Sequence, residues 1–127
     1  MTFEDSLRTW LARSLAESIP EGVTAFSFNL FEYPETATVK FGVELVGCGC
    51  FDPANSDWAC DEVWEPVKRA IEIPVSFSGR NWEVCQRKVR ALIAEGLFAD
   101  IRIGKALKSV QGVGLGFVDG DLEILGV

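Results

Sequence analysis

The chain has 127 residues, with 12 Lys and Arg against 19 Asp and Glu, so its formal net charge at pH 7 is −7. This length supports one hydrophobic core, and residues 1–127 are predicted to form a single domain. A hydrophobic fraction of 48% excludes a disordered chain. The net negative charge argues against nucleic acid and anionic membranes as partners. The chain contains no histidine, which excludes His-dependent nucleophiles and His-ligated zinc.

A cytoplasmic location is predicted from two further features of the sequence. No apolar run approaches the roughly 20 residues that span a bilayer. The first ten residues, MTFEDSLRTW, lack the basic and apolar regions of a signal peptide.

The first predicted element is an amphipathic helix at residues 3–18. Its apolar side chains recur on one helical face at Phe3, Leu7, Trp10, Leu11 and Leu15. Thr2 and Asp5 have the spacing that caps a helix start, and the residues Ile-Pro-Glu-Gly at 19–22 end it.

Two β-rich runs follow, at residues 23–33 and 36–50, and the turn at 33–35 predicts that they pair as antiparallel strands. A third strand is predicted near residues 58–64. Residues 71–77 are β-rich but contain Pro74, which predicts an edge strand or a bulge.

The C-terminal part predicts a second long helix and a β-hairpin. Apolar residues at helical spacing predict a helix at 82–95, from Trp82 to Ile93, ended by Gly96. Residues 98–110 are compatible with a short helix or with irregular chain. Alternation at 113–117 and the Asp119-Gly120 pair predict a hairpin reaching residue 124.

This order of elements predicts an α+β fold. We expect a mostly antiparallel sheet of about four to six strands, with two main helices, near 3–18 and 82–95, packed on one face. Much of the core is predicted to come from eight apolar residues: Phe26, Phe28, Leu30, Val39, Phe41, Leu92, Ile93 and Phe117.

Two motifs invite a chemical interpretation, and the spacing argues against it in both. Cys48, Cys50, Cys60 and Cys85 could bind zinc, but Cys48 and Cys50 do not form a C-x2-C pair and, within one strand, would point to one face. Buried free thiols are favoured over zinc, with a disulfide as a third option. Gly112, Gly114 and Gly116 lack the G-x-G-x-x-G spacing of a dinucleotide loop, so we expect a helix or a tryptophan to pack directly on them.

Negative charge is concentrated in the N-terminal half. Residues 1–65 carry twelve acidic and three basic residues, a net charge of −9, whereas residues 66–127 carry a net charge of +2. The densest stretch, which we call the acidic segment, is residues 52–65. Its candidate partner-binding residues are Asp52, Asp57, Trp58, Asp61, Glu62, Trp64 and Glu65.

Two interpretations of the acidic segment remain open. In the first, Trp58 and Trp64 anchor a strand to the core and the acids form its solvated face. In the second, exposed tryptophan and negative charge form a recognition surface for a basic protein. A calcium loop is disfavoured because the acids lack the D-x-D-x-D-G order.

One resemblance accompanies these patterns. The stretch Asp-Trp-Ala-Cys-Asp-Glu at 57–62, the pair Ile73-Pro74, the pair Trp82-Glu83 and the run at 116–122 resemble small bacterial immunity proteins of polymorphic toxin systems. The similarity covers about residues 45–124. It implies a cytoplasmic protein that binds and blocks a cognate toxin, often an enzyme with a basic cleft, and it transfers no residue roles.

The sequence therefore predicts a non-catalytic binding protein, with no cofactor and no metal, that neutralises a toxin or other basic protein through the acidic segment. A small-ligand sensor or a homo-oligomeric scaffold is the alternative, and a homodimer is possible. A carboxylate-dependent enzyme is the remaining class, although no constellation of residues singles out a catalytic group.

Overall fold

A computed structural model describes residues 2–126, which contain four α-helices and six strands. The strands are β1 (Ala25–Glu32), β2 (Val39–Cys48), β3 (Glu62–Trp64), β4 (Ala70–Pro74), β5 (Gly112–Phe117) and β6 (Glu123–Gly126). The helices are α1 (Phe3–Leu15), α2 (Val75–Ser78), α3 (Trp82–Ala91) and α4 (Ile101–Lys108), with a 3-10 helix at Ser56–Cys60 and a π-helical turn at Leu92–Leu97. Among these residues, no helix combines the length and apolar character needed to cross a membrane.

The sheet has the strand order β3-β2-β1-β5-β6, and β4 also pairs with β2. Both β3 and β4 pair with β2 in antiparallel register, β3 at Gly47 and Cys48 and β4 over the residues from Val39 to Glu44. The predicted pairing of β1 with β2 and the predicted C-terminal hairpin, β5 with β6, are also antiparallel. The α+β class and the mostly antiparallel sheet are therefore confirmed.

One strand pair is parallel, and the sequence did not predict it. β5 lies beside β1 in parallel, with Leu30 opposite Phe117. A parallel pair needs a crossover connection, and here the chain between β1 and β5 includes the strands β2, β3 and β4 and the helices α2, α3 and α4.

The N-terminal helix forms as its capping pattern predicts but is shorter than expected. The Thr2 hydroxyl accepts the Asp5 backbone N–H, and the Asp5 carboxylate accepts the Thr2 backbone N–H, a complete capping box. The helix ends at Leu15, not at residue 18. Pro20 disfavours a helical conformation at the residue before it, which limits extension of the helix.

The predicted helix at 82–95 is divided. Asn81 caps α3, its side-chain oxygen accepting the Val84 backbone N–H at 3.0 Å. The chain then enters the π-helical turn, so Gly96 lies inside a helical segment and does not end one. Within residues 98–110, α4 forms, and Asp100 caps it by accepting the backbone N–H groups of Arg102 and Ile103 at 2.9 Å.

Two predicted strands also have corrected bounds. The predicted third strand at 58–64 is the 3-10 helix followed by the three-residue β3. The run at 71–77 is strand only as far as Pro74, and α2 begins at Val75. Strand β2 ends at Cys48, so Cys50 lies beyond it and is exposed, whereas Cys48 is buried.

The larger core cluster joins helical side chains to alternate residues of the sheet. Leu7, Leu11 and Ile93 from the helical segments pack with Phe28 and Leu115 of the strands, and all five are fully buried. Six of the eight predicted core residues are buried: Phe26, Phe28, Leu30, Phe41, Ile93 and Phe117. Val39, at the start of β2, and Leu92, at the start of the π-helical turn, are only half-buried.

The other residues of the same strands form a second, smaller cluster. Ala25, Val46, Cys48 and Trp58 are buried there, with Phe51, Ala59, Leu122 and Ile124 packed against them. The glycines of β5 face this cluster. A Cβ at Gly112 would lie 2.2 Å from the Phe51 ring, and a Cβ at Gly114 would lie 2.9 Å from the Trp58 ring. The predicted packing of a tryptophan is thus confirmed at Gly114, whereas Phe51 covers Gly112 and the backbone of Asp121 and Leu122 covers Gly116.

Candidate functional site

Trp58 is an anchor of the acidic segment and is not exposed. Its side chain is 3% exposed and packs edge to face on Phe51, with ring centroids 5.0 Å apart. Trp64 is half-buried and packs against Phe26 at 6.2 Å. The expectation that Trp58 offers contact area to a partner is wrong, because the absence of a side chain at Gly114 leaves space for its ring on the sheet.

The acids of the segment fall into two groups. Asp52, Asp57 and Asp61 are exposed, and within residues 2–126 none of the three has an ion-pair partner. Asp52 also organises the loop, because its carboxylate accepts the Ala54 backbone N–H at 2.9 Å. Glu62, by contrast, is paired with Arg69. The three aspartates are therefore the acids of the segment that lack any ion-pair partner within residues 2–126, whereas Glu62 and Glu65 share the single charge of Arg69 with Glu44.

Arg69 is the residue that divides these groups. Its guanidinium contacts the carboxylates of Glu62 at 2.7 Å, Glu65 at 2.6 Å and Glu44 at 2.7 Å. Hydrogen bonds to Glu62, Glu65 and Glu44 raise the pKa of Arg69, so the guanidinium remains charged. Arg69 precedes β4, and its backbone carbonyl accepts the Leu45 N–H at 3.0 Å. Arg69 is close to Glu62 and Glu65 in the chain, but only the pairing of β4 with β2 brings it to Glu44, and sequence reasoning missed it.

A polar chain continues from Arg69 across the second face of the sheet. Glu44, whose side chain is 17% exposed, accepts both the Arg69 guanidinium and the Asn29 amide, the latter at 3.1 Å. The Ser27 hydroxyl then donates to the Asn29 oxygen at 2.8 Å. Each of these groups has a partner, as partly buried polar groups require.

The end of this chain lies in a depression that we call the hairpin groove. Its volume is about 490 Å³, and it lies between the 3-10 helix and the turn that joins β5 to β6. Asn29, Glu44 and Gly116 come from the sheet, Asp57 and Glu62 from the acidic segment, and the apolar Phe117, Val118 and Leu122 from the hairpin. The groove thus places acidic and apolar groups side by side.

A smaller depression, which we call the Trp82 notch, adjoins the groove and shares Phe117 and Gly120 with it. Its volume is about 210 Å³, and its other lining residues are Glu32, Trp82 and Asp119. Trp82 is 51% exposed and Val118 is 66% exposed. Sequence reasoning placed Trp82 in the apolar stripe of its helix, but at the first position of α3 the ring lies at the edge of the core.

Two of the four thiols are buried and two are exposed. Cys48 and Cys85 are buried, and burial raises the pKa of each to about 12, so both behave as small apolar groups. Cys50 and Cys60 are exposed, which corrects the prediction that all four thiols are buried. Among residues 2–126, no cluster of three or more Cys, Asp or Glu side chains is arranged to hold a metal ion.

Comparison with known proteins does not assign the chain to a family. No family model, curated protein or solved structure matches it significantly. The resemblance to immunity proteins therefore stays a prediction.

Proposed function

We propose that this protein is a non-catalytic cytoplasmic inhibitor of the immunity type, which neutralises a basic toxin. The contact surface comprises the acidic segment, the hairpin groove and the Trp82 notch. The observation that carries the proposal is the adjacency of unpaired carboxylates, such as Asp57, to the exposed apolar side chains Trp82 and Val118 around one hairpin.

In such a surface, the charges mainly set the association rate and the apolar groups mainly set the affinity. Long-range attraction between the unpaired aspartates and a basic partner accelerates encounter, and this effect weakens as salt rises. Most of the affinity comes from a few well-packed anchors, in which tryptophan is enriched. Glu62 and Glu65 contribute less attraction, because Arg69 neutralises part of their charge.

Co-expression with the product of the adjacent gene tests the proposal. We expect the neighbour to inhibit growth when expressed alone, and this protein to restore growth and to co-purify with it. A harmless neighbour that does not co-purify would contradict the immunity assignment.

Association kinetics then test the surface. The double variant Asp57→Asn/Asp61→Asn should slow association by about fivefold to tenfold at low salt, since both carboxylates are exposed and unpaired. The matched control is Glu21→Gln/Glu95→Gln, which removes the same charge from exposed positions outside the surface. Equal effects of the two variants, measured by stopped flow, would show that only net charge matters.

A small-ligand sensor is the second candidate, and the hairpin groove favours it. Its volume of about 490 Å³ lies within the usual range of small-molecule sites. A rise in melting temperature with millimolar spermidine, without any co-purifying protein, would support this alternative.

A further inference from the structure

The Trp82 notch has an aromatic wall that is held in place from the core. Phe117 packs edge to face on buried Phe41, with ring centroids 5.4 Å apart and an interplanar angle of 76°. Trp82 packs on Phe117 in the same manner, at 5.8 Å and 82°. The three rings form a series from the interior to the surface, so the indole is positioned before any partner arrives and half of it remains accessible.

Two carboxylates flank this wall, and the parallel strand pair places them there. Leu30 of β1 lies opposite Phe117 of β5, and the Val118 N–H donates to the Leu30 carbonyl at 3.0 Å. Glu32 and Asp119 each follow these partners by two residues, so both reach the same end of the sheet, and both line the notch.

Neither carboxylate is neutralised by another group in the described part of the chain. Glu32 and Asp119 are exposed and form no ion pair within residues 2–126. Lys40 and Arg80 both pair instead with Glu35. The notch therefore combines an accessible indole with two unpaired negative charges.

We propose that the Trp82 notch receives one arginine side chain of the basic protein partner. The guanidinium stacks on the exposed part of the Trp82 ring, while Glu32 and Asp119 accept its N–H groups. About 210 Å³ has room for one long side chain but not for a helix or strand. Arginine suits the site better than lysine because its planar group stacks on aromatic rings and donates several hydrogen bonds at once. The assignment rests on the proposed function, since it names the group by which the partner is anchored.

A peptide titration tests the notch without the partner. The probe is acetyl-Gly-Arg-Gly-amide, and its binding is followed through the indole N–H resonance of Trp82 in a ¹⁵N spectrum, assigned with Trp82→Phe. We expect the resonance to shift until the site is saturated. The apparent affinity for the peptide should be about fivefold lower in Glu32→Gln/Asp119→Asn than in the unaltered protein, because two exposed ion pairs are lost. The control variant Glu21→Gln/Glu95→Gln removes the same net charge outside the notch. A peptide with citrulline in place of arginine tests whether binding needs the charged guanidinium.

The titration either supports or overturns the arginine site. A Trp82 shift that needs arginine and both carboxylates supports it. Equal binding of the citrulline peptide, or an unchanged affinity in Glu32→Gln/Asp119→Asn, overturns it. All four substitutions are at exposed positions, and circular dichroism checks that each variant is folded.

A second measurement on the co-purified complex separates this proposal from the function on which it rests. Trp82→Ala should raise the dissociation rate by about tenfold or more, as expected for a tryptophan anchor. Asp57→Asn/Asp61→Asn should instead slow association. A stable complex whose dissociation rate does not change in Trp82→Ala would overturn the notch and leave the inhibitor function standing. Failure of any complex to form would remove the function, while the peptide titration still decides whether the notch binds arginine.

Discussion

One face of the sheet carries large apolar side chains, and the other carries glycines, polar groups and the smaller apolar residues Ala25, Val46 and Cys48, although the same strands supply both. In β1, Phe28 points into the larger core while Asn29 joins the polar chain, and in β5, Leu115 alternates with Gly116. The helix-facing side is filled by side chains that interlock. The second side is covered by a loop, the 3-10 helix and a hairpin, and the hairpin groove lies on it. The larger core cluster and the hairpin groove thus lie on opposite faces of the sheet.

The largest effect should come from opening a cavity on the helix-facing side. Phe28→Ala removes a fully buried ring from the centre of the sheet, so we expect a loss of about 3–5 kcal/mol in the free energy of unfolding. Urea denaturation measures it. A loss below about 1 kcal/mol would mean that the helices do not pack tightly on this face.

A smaller effect should come from adding one methyl group to the second face. The Cβ of Gly116→Ala would lie 2.5 Å from the backbone oxygen of Asp121, which a turn cannot move freely. We expect a loss of about 1–3 kcal/mol. Gly22→Ala is the matched control, since nothing lies within 4 Å of its Cβ, and it should leave stability unchanged or slightly raised. Equal losses of stability in the two variants would show that the backbone at Asp121 does not pack against Gly116.

Removing Arg69 tests the polar chain. Arg69→Ala leaves Glu44 partly buried without its cation, next to Glu62. Because about a third of the Arg69 side chain is exposed, water screens these ion pairs, and we expect a loss of about 1 kcal/mol. Arg102→Ala, at an exposed position without an ion pair among residues 2–126, should cost less. Comparable losses would mean that the network contributes nothing beyond surface charge.

The smallest effect should be a dependence of stability on acid pH that originates at a helix cap. Hydrogen bonds from the backbone N–H groups of Ile103 and Arg102, together with Arg8, hold the pKa of Asp100 below its ordinary value of 3.8. This stabilisation is complete above the unfolded-state pKa, and it is lost as the pH falls through the lower folded-state pKa.

Melting temperatures between pH 2 and 6 measure that dependence. Asp100→Asn keeps a capping side chain but cannot ionise, so its melting temperature should fall less steeply below pH 4 than that of the unaltered protein. Identical slopes would exclude a contribution from Asp100.

Local patterns in the sequence determined the secondary structure well where neighbours along the chain decide it. The apolar stripe of α1, its cap at Thr2 and Asp5, and the Asp119-Gly120 hairpin depend on residues within a few positions of each other. The alternation in β1 likewise predicted that Phe26, Phe28 and Leu30 are buried, but not that Ser27 between them is buried too. The α+β class follows from these elements.

The candidate surface depended on contacts that only the tertiary structure makes. The burial of Trp58 was decided by the bare backbone of Gly114, which lies over 50 residues away in the chain and accommodates its ring. The pairing of β4 with β2 brought Arg69 to Glu44, and the parallel pairing of β1 with β5 brought Glu32 to Asp119. Apolar periodicity reports that a side chain is buried but not what covers it, because burial against a distant strand leaves no mark on the local pattern.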